Sequence, residues 1–207
     1  MGLMRKFLNQ TRKPEGFLGK LMLKTMNAGH AKMADWGLSH LPKMEVAQAV
    51  DLGCGAGRNA AQLLKRFPEA IVTAIDYSEL SVEKAAEFNK ASIKSGKCRV
   101  LRGDVSDLRL PEASFDLATA FETIYFWPGL EKCFAEAARV LKPGGIFMIC
   151  NESDGTDAAA IKYERIIEGM KCFTSEEIEA ALRAGGFGEV KSDHHPSNPW
   201  ITVLARK

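Results

Sequence analysis

The sequence predicts an α/β fold, with an open seven-stranded sheet that is mostly parallel and carries helices on both faces. From about residue 46, five short runs rich in apolar and β-branched residues alternate with helical patterns. Strands that are apolar throughout are typical of a parallel sheet covered on both sides. The last two runs are separated only by PSNP, which is too short for a parallel crossover, so they are expected to pair antiparallel at one sheet edge.

Each element is predicted from its own pattern. The expected strands are, in chain order, VAQAVDL, AIVTAID, KCRVLRG, FDLATAF, GIFMICN, FGEVKSDHH and WITVLARK. The expected helices are NAAQLLKRF, ELSVEKAAEFNKASIK, LEKCFAEAARVL, a stretch around residues 158–168 and one that opens TSEEIEAAL. In the last of these, Thr174 and Glu177 form a capping box, and Gly185-Gly186 ends the helix.

The first 44 residues predict a helical extension ahead of the sheet domain, which we expect to span residues 45–207. The extension carries eight Lys and Arg against two acidic residues. Its apolar residues recur every three or four positions, as in a helix, although Asn27 to His30 could break that helix into two. Such a stripe is more often core packing, and a Met-rich lid over a pocket is the alternative. The stripe consists of Leu18, Met22, Met26, Gly29, Met33 and Trp36.

Composition excludes several classes of protein. Net charge is +2, and no stripe of Lys or Arg marks a nucleic-acid groove in the body of the chain. The five cysteines are odd in number, form no C-x-x-C pair and have no His at ligand spacing, which argues against a disulfide framework and against a metal site. No apolar stretch approaches the roughly 20 residues of a membrane span. The sequence therefore predicts a cytoplasmic protein without a membrane span.

A glycine-rich loop is the strongest functional signal. The first strand runs into Gly53-Cys54-Gly55-Ala56-Gly57, and a helix follows at Arg58. Unpaired N–H groups at the start of that helix, together with the glycines, let a ligand lie against the backbone. Asp76 ends the second strand, where a carboxylate can accept both hydroxyls of a ribose. The nicotinamide and flavin fingerprint G-x-G-x-x-G needs glycine at position 58, so the spacing disfavours those cofactors.

A G-x-G-x-G loop led by an acid resembles motif I of the class I S-adenosylmethionine-dependent methyltransferases, and the resemblance runs from about residue 46 to the C-terminus. IDYS resembles the second motif, RGDVSDL the third, and FDLATAFETIYFW the fourth strand with its outgoing loop. RVLKPGGIFMI resembles the family's helix-turn-strand segment, and AGGFGEV and WITVLARK its last two strands. The resemblance implies a Rossmann-like sheet with an antiparallel C-terminal strand, and S-adenosyl-L-methionine as cofactor. The best match is the small-molecule branch that includes quinone-biosynthesis methyltransferases.

The resemblance also implies roles for single residues. The glycines would accommodate the methionyl and ribose parts of the cofactor, with Asp51 close to its amine. Asp76 would accept from the ribose hydroxyls, Tyr77 would lie beside the adenine, and the backbone near Phe121 would help to hold the methionine amino group. Each assignment has a structural alternative. The glycines could form a plain tight turn, Asp76 could be the N-cap of the helix that follows it, and Asp104 could form a turn at the strand end. The implied cofactor-binding residues are Asp51, Gly53, Gly55, Gly57, Asp76, Tyr77, Asp104 (to the adenine amine), Val105 (through its N–H to a ring nitrogen) and Phe121.

The acceptor, meaning the molecule that receives the methyl group, is expected between the loop after the fourth strand and the N-terminal helices. Methyl transfer from a sulfonium is an in-line displacement with a neutral leaving group, so a base is needed only when the acceptor must lose a proton. Glu122 and Tyr125 fall in that loop, and His30 in the N-terminal segment is a further candidate base. The alternatives are packing for the aromatic loop and a satisfied core role for His30.

The sequence thus predicts methyl transfer from S-adenosylmethionine to a small-molecule acceptor. A protein that binds S-adenosylmethionine without chemistry is the alternative, and a nicotinamide-dependent oxidoreductase is a weaker one. FETIYFWP lacks the paired prolines typical of enzymes that methylate amino groups of nucleic-acid bases. Oligomeric state and the methylated atom stay open.

Overall fold

The sheet has seven strands, and their bounds agree closely with the expected runs. The computed structural model describes residues 2–207, apart from the side chain of Leu3. The strand order is β3-β2-β1-β4-β5-β7-β6, with β7 antiparallel to both of its neighbours and the other adjacent pairs parallel. This confirms the predicted Rossmann-like α/β class, including the antiparallel C-terminal strand. The strands are β1 Gln48–Leu52, β2 Ile71–Asp76, β3 Cys98–Arg102, β4 Phe115–Phe121, β5 Leu141–Asn151, β6 Glu189–His194 and β7 Ile201–Arg206.

Helices precede the sheet and connect its strands. The capping box of Thr174 and Glu177 is present at the start of the last helix, and Gly186, with a φ of 99°, follows its end. The α-helices are α1 Leu3–Leu8, α2 Gly16–Gly29, α3 Ala31–Ser39, α4 Arg58–Arg66, α5 Glu79–Phe88, α6 Lys90–Lys94, α7 Leu130–Val140, α8 Ala158–Ile166 and α9 Ser175–Ala184. Two single 3-10 turns cover Asn9–Thr11 and Ile124–Phe126.

Both faces of the sheet are covered, as predicted. On one face, α7 and α9 bury a core that includes Phe134 and Phe147. On the other face lies a second core, to which α3 and α4 contribute Met33 and Leu63. The helix α3 lies so close to β5 that a Cβ at Gly37 would overlap the side chain of Cys150. The end of the N-terminal segment is therefore part of the packed core.

Two elements differ from the sequence-based expectation. The single helix expected over ELSVEKAAEFNKASIK is divided into α5 and α6 at Asn89, whose φ of −98° and ψ of 17° leave the helical region. The turn expected at Pro143-Gly144-Gly145 lies within the continuous strand β5. There, the register between β4 and β5 shifts. The N–H of Gly144 donates to the carbonyl oxygen of Lys207, and the N–H of Lys207 donates to the carbonyl oxygen of Gly145. The partners of Phe115 and Leu117 are Leu141 and Ile146, so β5 carries three extra residues there, and Gly144, with a φ of 78°, is one of them.

No helix among residues 2–207 is both long enough and apolar enough to span a bilayer.

Candidate functional site

The glycine loop leaves the carboxyl end of β1 and turns sharply toward α4. The N–H groups of Gly53 and Cys54 both donate to the carbonyl oxygen of Ile75, at 2.8 and 2.9 Å. Gly53 has a φ of 76°, and a Cβ there would overlap the side chain of Thr123. A residue other than glycine at position 53 would therefore be strained and would collide with the loop after β4.

Gly57 is needed for helix packing. It has a φ of 83° at the N-terminus of α4, and a Cβ there would lie 2.8 Å from the Cα of Ala85 on α5. The side-chain amide of Asn89 donates to the carbonyl oxygens of Gly57 and Ala85, at 2.9 and 3.0 Å. Gly55 differs from both, since the position of its missing Cβ faces open space. Of the three glycines, Gly55 is thus the one with free space beside it.

Asp76 connects the glycine loop to the end of β2. One carboxylate oxygen accepts from the N–H of Gly55 and the other from the N–H of Ser78, both at 2.9 Å. Burial raises the pKa of Asp76, against the opposing effect of these hydrogen bonds. Each oxygen has a second lone pair, so the side chain still accepts further hydrogen bonds.

Asp51 lies beneath the loop and does not line the cavity described below. It is 1% exposed, and one oxygen accepts from the hydroxyl of Thr119 at 2.8 Å. The other oxygen has no hydrogen-bond partner among the described residues. Burial raises the pKa of Asp51 to about 7. A buried oxygen without a hydrogen-bond partner is rare in folded proteins, and a donor group on a ligand would supply the missing hydrogen bond.

A first cavity of about 300 Å³ lies over the carboxyl ends of β1, β2 and β4. Asp104 lines it, and one of its carboxylate oxygens accepts from the N–H and the hydroxyl of Ser106, both at 2.8 Å. These bonds hold the pKa of Asp104 below its usual range. The predicted site residues that line this cavity are His30, Gly53, Gly55, Asp76, Tyr77, Asp104, Val105, Phe121 and Glu122, and Gly57 does not line it.

The N-terminal segment forms the opposite wall of the first cavity. Arg12 and Pro14 lie in the loop before α2, and Met26 and His30 lie at the end of that helix. The hydroxyl of Tyr77 donates to the carbonyl oxygen of Arg12. The hydroxyl of Ser78 donates to the carbonyl oxygen of Pro14 at 3.2 Å. Two bonds therefore join the segment to the end of β2.

A second cavity, of about 510 Å³, adjoins the first. Its walls come from α1, α2 and α8 and from the segments that follow β4 and β5. Five residues line both cavities, and we call them the junction: Thr11, Met26, His30, Glu122 and Phe126. Two of the three predicted catalytic residues thus lie where the cavities meet, and the third, Tyr125, lines the second cavity.

Glu122 is held in one orientation at the junction. Its backbone is in the left-handed region, with a φ of 55°, which is uncommon for a residue with a side chain. One carboxylate oxygen accepts from the hydroxyl of Tyr125 at 2.8 Å and from the N–H of Glu152. Burial raises the pKa of Glu122 to about 7 and that of Tyr125 well above its ordinary value. A carboxyl group with this pKa is suited to taking up a proton near neutral pH.

His30 faces a second carboxylate across the junction. Its Nε2 lies 3.7 Å from an oxygen of Glu152. Burial lowers the pKa of His30, although the charge of Glu152 opposes this shift. The side chains of His30, Glu122 and Glu152 bring nitrogen and oxygen atoms within 4.8 Å of one another.

Sequence reasoning did not find Glu152 or the Arg12 loop. Glu152 directly follows β5, and position at the carboxyl end of a parallel strand is the signal that would have pointed to it. Arg12 lies in a segment without a motif. Only the fold brings it beside Tyr77, 65 positions further along the chain.

The residues that line the first cavity fit the cofactor implied by the sequence. Asp76 and Asp104 offer carboxylates to hydroxyl and amine donors, and Ala56, Arg58 and Asn59 at the start of α4 line the same cavity. Open space beside Gly55 and the unsatisfied oxygen of Asp51 suit a ligand carrying further donors.

Comparison with known proteins agrees with this geometry. Residues 50–149 match the family model described as a methyltransferase domain. The chain is 34% identical to a sterol 24-C-methyltransferase of Aspergillus fumigatus over 78% of this chain and 46% of that protein. It is 30% identical to a trans-aconitate 2-methyltransferase of Deinococcus radiodurans over 80% of this chain and 57% of that protein. The chain thus spans about half the length of these curated relatives.

Solved structures show the same fold at low sequence identity. One is a chain from the complex of a Haloferax volcanii methyltransferase with the Trm112 methyltransferase activator, with a TM-score of 0.83, 20% identity and 97% of both chains covered. Another is the Haemonchus contortus Phospholethanolamine N-methyltransferase 2, with a TM-score of 0.79, 17% identity, and 100% and 61% covered. Residues 50–149 thus carry a methyltransferase domain, and the motifs in and around it resemble those of the class I S-adenosylmethionine-dependent methyltransferases.

Proposed function

We propose that the protein transfers a methyl group from S-adenosylmethionine to a small-molecule acceptor. The observation that carries this proposal is the pair of adjoining cavities, one built on the glycine loop and the other opening from the junction. A cofactor in the first cavity and an acceptor in the second would face each other at Glu122 and His30. A protein that only binds the cofactor has no need of the second cavity.

In the first cavity, the residues implied by the motifs would bind the cofactor. Asp76 would accept from the ribose hydroxyls with the lone pairs that Gly55 and Ser78 leave free. Asp104 and the N–H of Val105 would meet the adenine, and Tyr77 would lie beside it. The backbone at Phe121 and the unsatisfied oxygen of Asp51 support a place nearby for the methionine amino group. Gly53 and Gly57 would act through loop shape, and Gly55 through the open space beside it.

Chemistry at the junction would depend mainly on alignment. When bound, the cofactor supplies an activated methyl group on a cationic sulfur. An acceptor fixed in the second cavity would approach that methyl in line, and alignment of this kind contributes on the order of 7–11 kcal/mol in ideal cases. For an acceptor that must lose a proton, Glu122 would be the base, with Tyr125 orienting its carboxylate. His30 would position the acceptor from the opposite side.

The N-terminal segment would serve as a lid in its first part only. Residues 1–44 were expected to form the extension, but α3 packs on β5 within the core. The part that covers the first cavity is the Arg12 loop with α2, which Tyr77 and Ser78 join to the end of β2. We propose that this part moves when cofactor or acceptor enters.

A cytoplasmic location and an acceptor that is not a nucleic acid remain part of the proposal. All five cysteines are free and buried, as expected in a reducing compartment.

The experiment that tests this function is calorimetric titration with S-adenosylmethionine and with S-adenosylhomocysteine. Micromolar binding of either ligand that Asp76→Ala abolishes supports the proposal. Asp107→Ala is the matched control, because Asp107 is exposed, near Asp104 in sequence and outside both cavities. Absence of binding by the wild-type protein, together with tight binding of NADH, would overturn the proposal.

A further inference from the structure

The second cavity carries acidic side chains on its wall. Among the described residues that line it, three are carboxylates, namely Glu122, Glu152 and Asp157, and none is Lys or Arg. His30 does not supply the missing positive charge, because burial lowers its pKa. The cavity therefore presents acidic groups without a cation of its own.

Asp157 is already committed to the fold. One of its oxygens accepts from the N–H of Ala160, as the N-cap of α8, at 2.8 Å. The other accepts from the hydroxyl of Ser153 at 2.6 Å. The acidic character available to a ligand thus comes from Glu122 and Glu152.

Glu152 has unused capacity to accept hydrogen bonds. Among the residues that the structure describes, no group donates a hydrogen bond to its carboxylate, and the ionisable nitrogen beside it is Nε2 of His30 at 3.7 Å. Its side chain is 37% exposed, so it can be reached from the cavity. Burial and the neighbouring charge of Glu122 raise the pKa of Glu152. A positive charge placed between the two carboxylates would relieve this repulsion.

The rest of the wall is apolar or aromatic. Phe7, Phe126, Tyr163 and Trp200 line the cavity, with methionines between them. The volume of about 510 Å³ is in the range of cavities that hold small organic molecules. Aromatic faces also favour a nearby cationic group over an anionic one.

We infer that the acceptor is an amine on an apolar or aromatic body, bound as an ammonium between Glu122 and Glu152. This inference rests on the proposed function and narrows it to a substrate class. Acceptors that carry a carboxylate or phosphate are disfavoured, because the cavity offers no cation to pair with them.

The transfer balances with groups already present. The ammonium gives one proton to the Glu122 carboxylate and becomes a neutral amine. Its nitrogen lone pair then forms the new N–C bond while the C–S bond breaks, and that electron pair stays on sulfur as neutral S-adenosylhomocysteine. The product is the N-methylated ammonium, and Glu122 returns its proton to solvent.

The test measures binding to the protein saturated with S-adenosylhomocysteine. Two matched series are titrated: 2-phenylethylamine, 2-phenylethanol and 3-phenylpropionate, and tryptamine, tryptophol and indole-3-propionate. In at least one series, the amine is expected to bind tenfold or more tightly than its alcohol, and the carboxylate most weakly.

Glu152→Gln is expected to weaken amine binding about five- to tenfold, and to leave binding of the alcohol and of S-adenosylhomocysteine unchanged. Glu112→Gln is the control, because Glu112 is exposed, precedes the amino end of β4 and lines neither cavity.

Three outcomes would overturn the inference. The first is that neither amine binds more tightly than its alcohol although S-adenosylhomocysteine binds, which leaves the proposed function intact. The second is an amine preference that Glu152→Gln does not reduce. The third is a preference that disappears on treatment with EDTA and returns with a divalent cation, which would assign His30, Glu122 and Glu152 to a metal ion. Failure of S-adenosylhomocysteine to bind at all would instead overturn the proposed function, and the inference with it.

Discussion

Two carboxyl groups of this protein, Asp51 and Glu122, have a pKa raised to about 7. Asp51 lies beneath the glycine loop, and Glu122 lies at the junction of the two cavities. Burial raises the pKa of each to about 7, because water no longer solvates the ionised form. Each therefore changes its charge close to neutral pH, one with an effect on stability and the other with an effect on catalysis.

For Glu122, we predict a rise in kcat/KM with pH. The base must be ionised to accept a proton, so the rate should increase as pH passes through about 7 and level off above it. Glu122→Gln should lower the rate by about 10²- to 10⁴-fold and remove this inflection. Initial rates between pH 5.5 and 8.5, with an acceptor from the binding series, measure the effect. A profile that keeps its inflection in the variant would assign the base to another group.

For Asp51, we predict an effect on stability. Because the folded-state pKa is about 7 and the ordinary value is 3.8, folding favours the protonated form. This contribution is complete below the ordinary pKa and is lost as pH rises through about 7. Between pH 5 and pH 8, the wild-type free energy of unfolding should fall by about 2 to 3 kcal/mol more than that of Asp51→Asn. Urea unfolding of both proteins without ligand gives the comparison, and equal falls in the two proteins would contradict it.

At the scale of single residues, the motifs predicted the positions that the strand ends place together, such as Gly55, Asp76 and Asp104. Their spacing is local to one strand and the loop after it, and sequence patterns record such spacing well. Of the pair His30 and Glu152, the sequence pointed only to His30, because the two residues come together through the packing of α3 on β5. No pattern within either segment encodes that contact.

At the scale of elements, the break between α5 and α6 supports the glycine loop. Asn89 leaves the helical conformation, and its buried amide binds the carbonyl oxygen of Gly57, 32 positions earlier. The sequence pattern predicted one continuous helix, since the polar residue falls within a regular helical spacing. The break coincides with this tertiary hydrogen bond, which a periodic pattern does not reveal. The capping box at Thr174, by contrast, is local and was predicted correctly.

We predict that Asn89→Ala weakens both folding and cofactor binding. The substitution removes two hydrogen bonds and leaves the carbonyl of Gly57 without the Asn89 amide, at a cost of about 1–3 kcal/mol in unfolding free energy. Binding of S-adenosylhomocysteine should weaken with it, since the loop loses a fixed point. Ser95→Ala, which removes one exposed hydrogen bond at the end of α6, is the control. If Asn89→Ala left the affinity for S-adenosylhomocysteine unchanged, the hydrogen bond between Asn89 and Gly57 would have no role in cofactor binding.

At the scale of the whole molecule, the fold brings three distant parts of the chain to one place. The glycine loop, the segment after β4 and the N-terminal helix α2 meet over the carboxyl ends of the strands. The sheet class and the antiparallel last strand could be predicted from run lengths and connections alone. The division of the site into two cavities could not, because it depends on where α1, α2 and α8 pack.

In the proposed function, the two cavities meet at the reacting methyl group. A crystal structure of the protein with S-adenosylhomocysteine would test this arrangement. We expect the ribose on Asp76 and the ligand sulfur at the junction, facing the second cavity beside Glu122 and His30. A ligand bound elsewhere, or one whose sulfur faces away from the second cavity, would overturn the proposed arrangement of cofactor and acceptor.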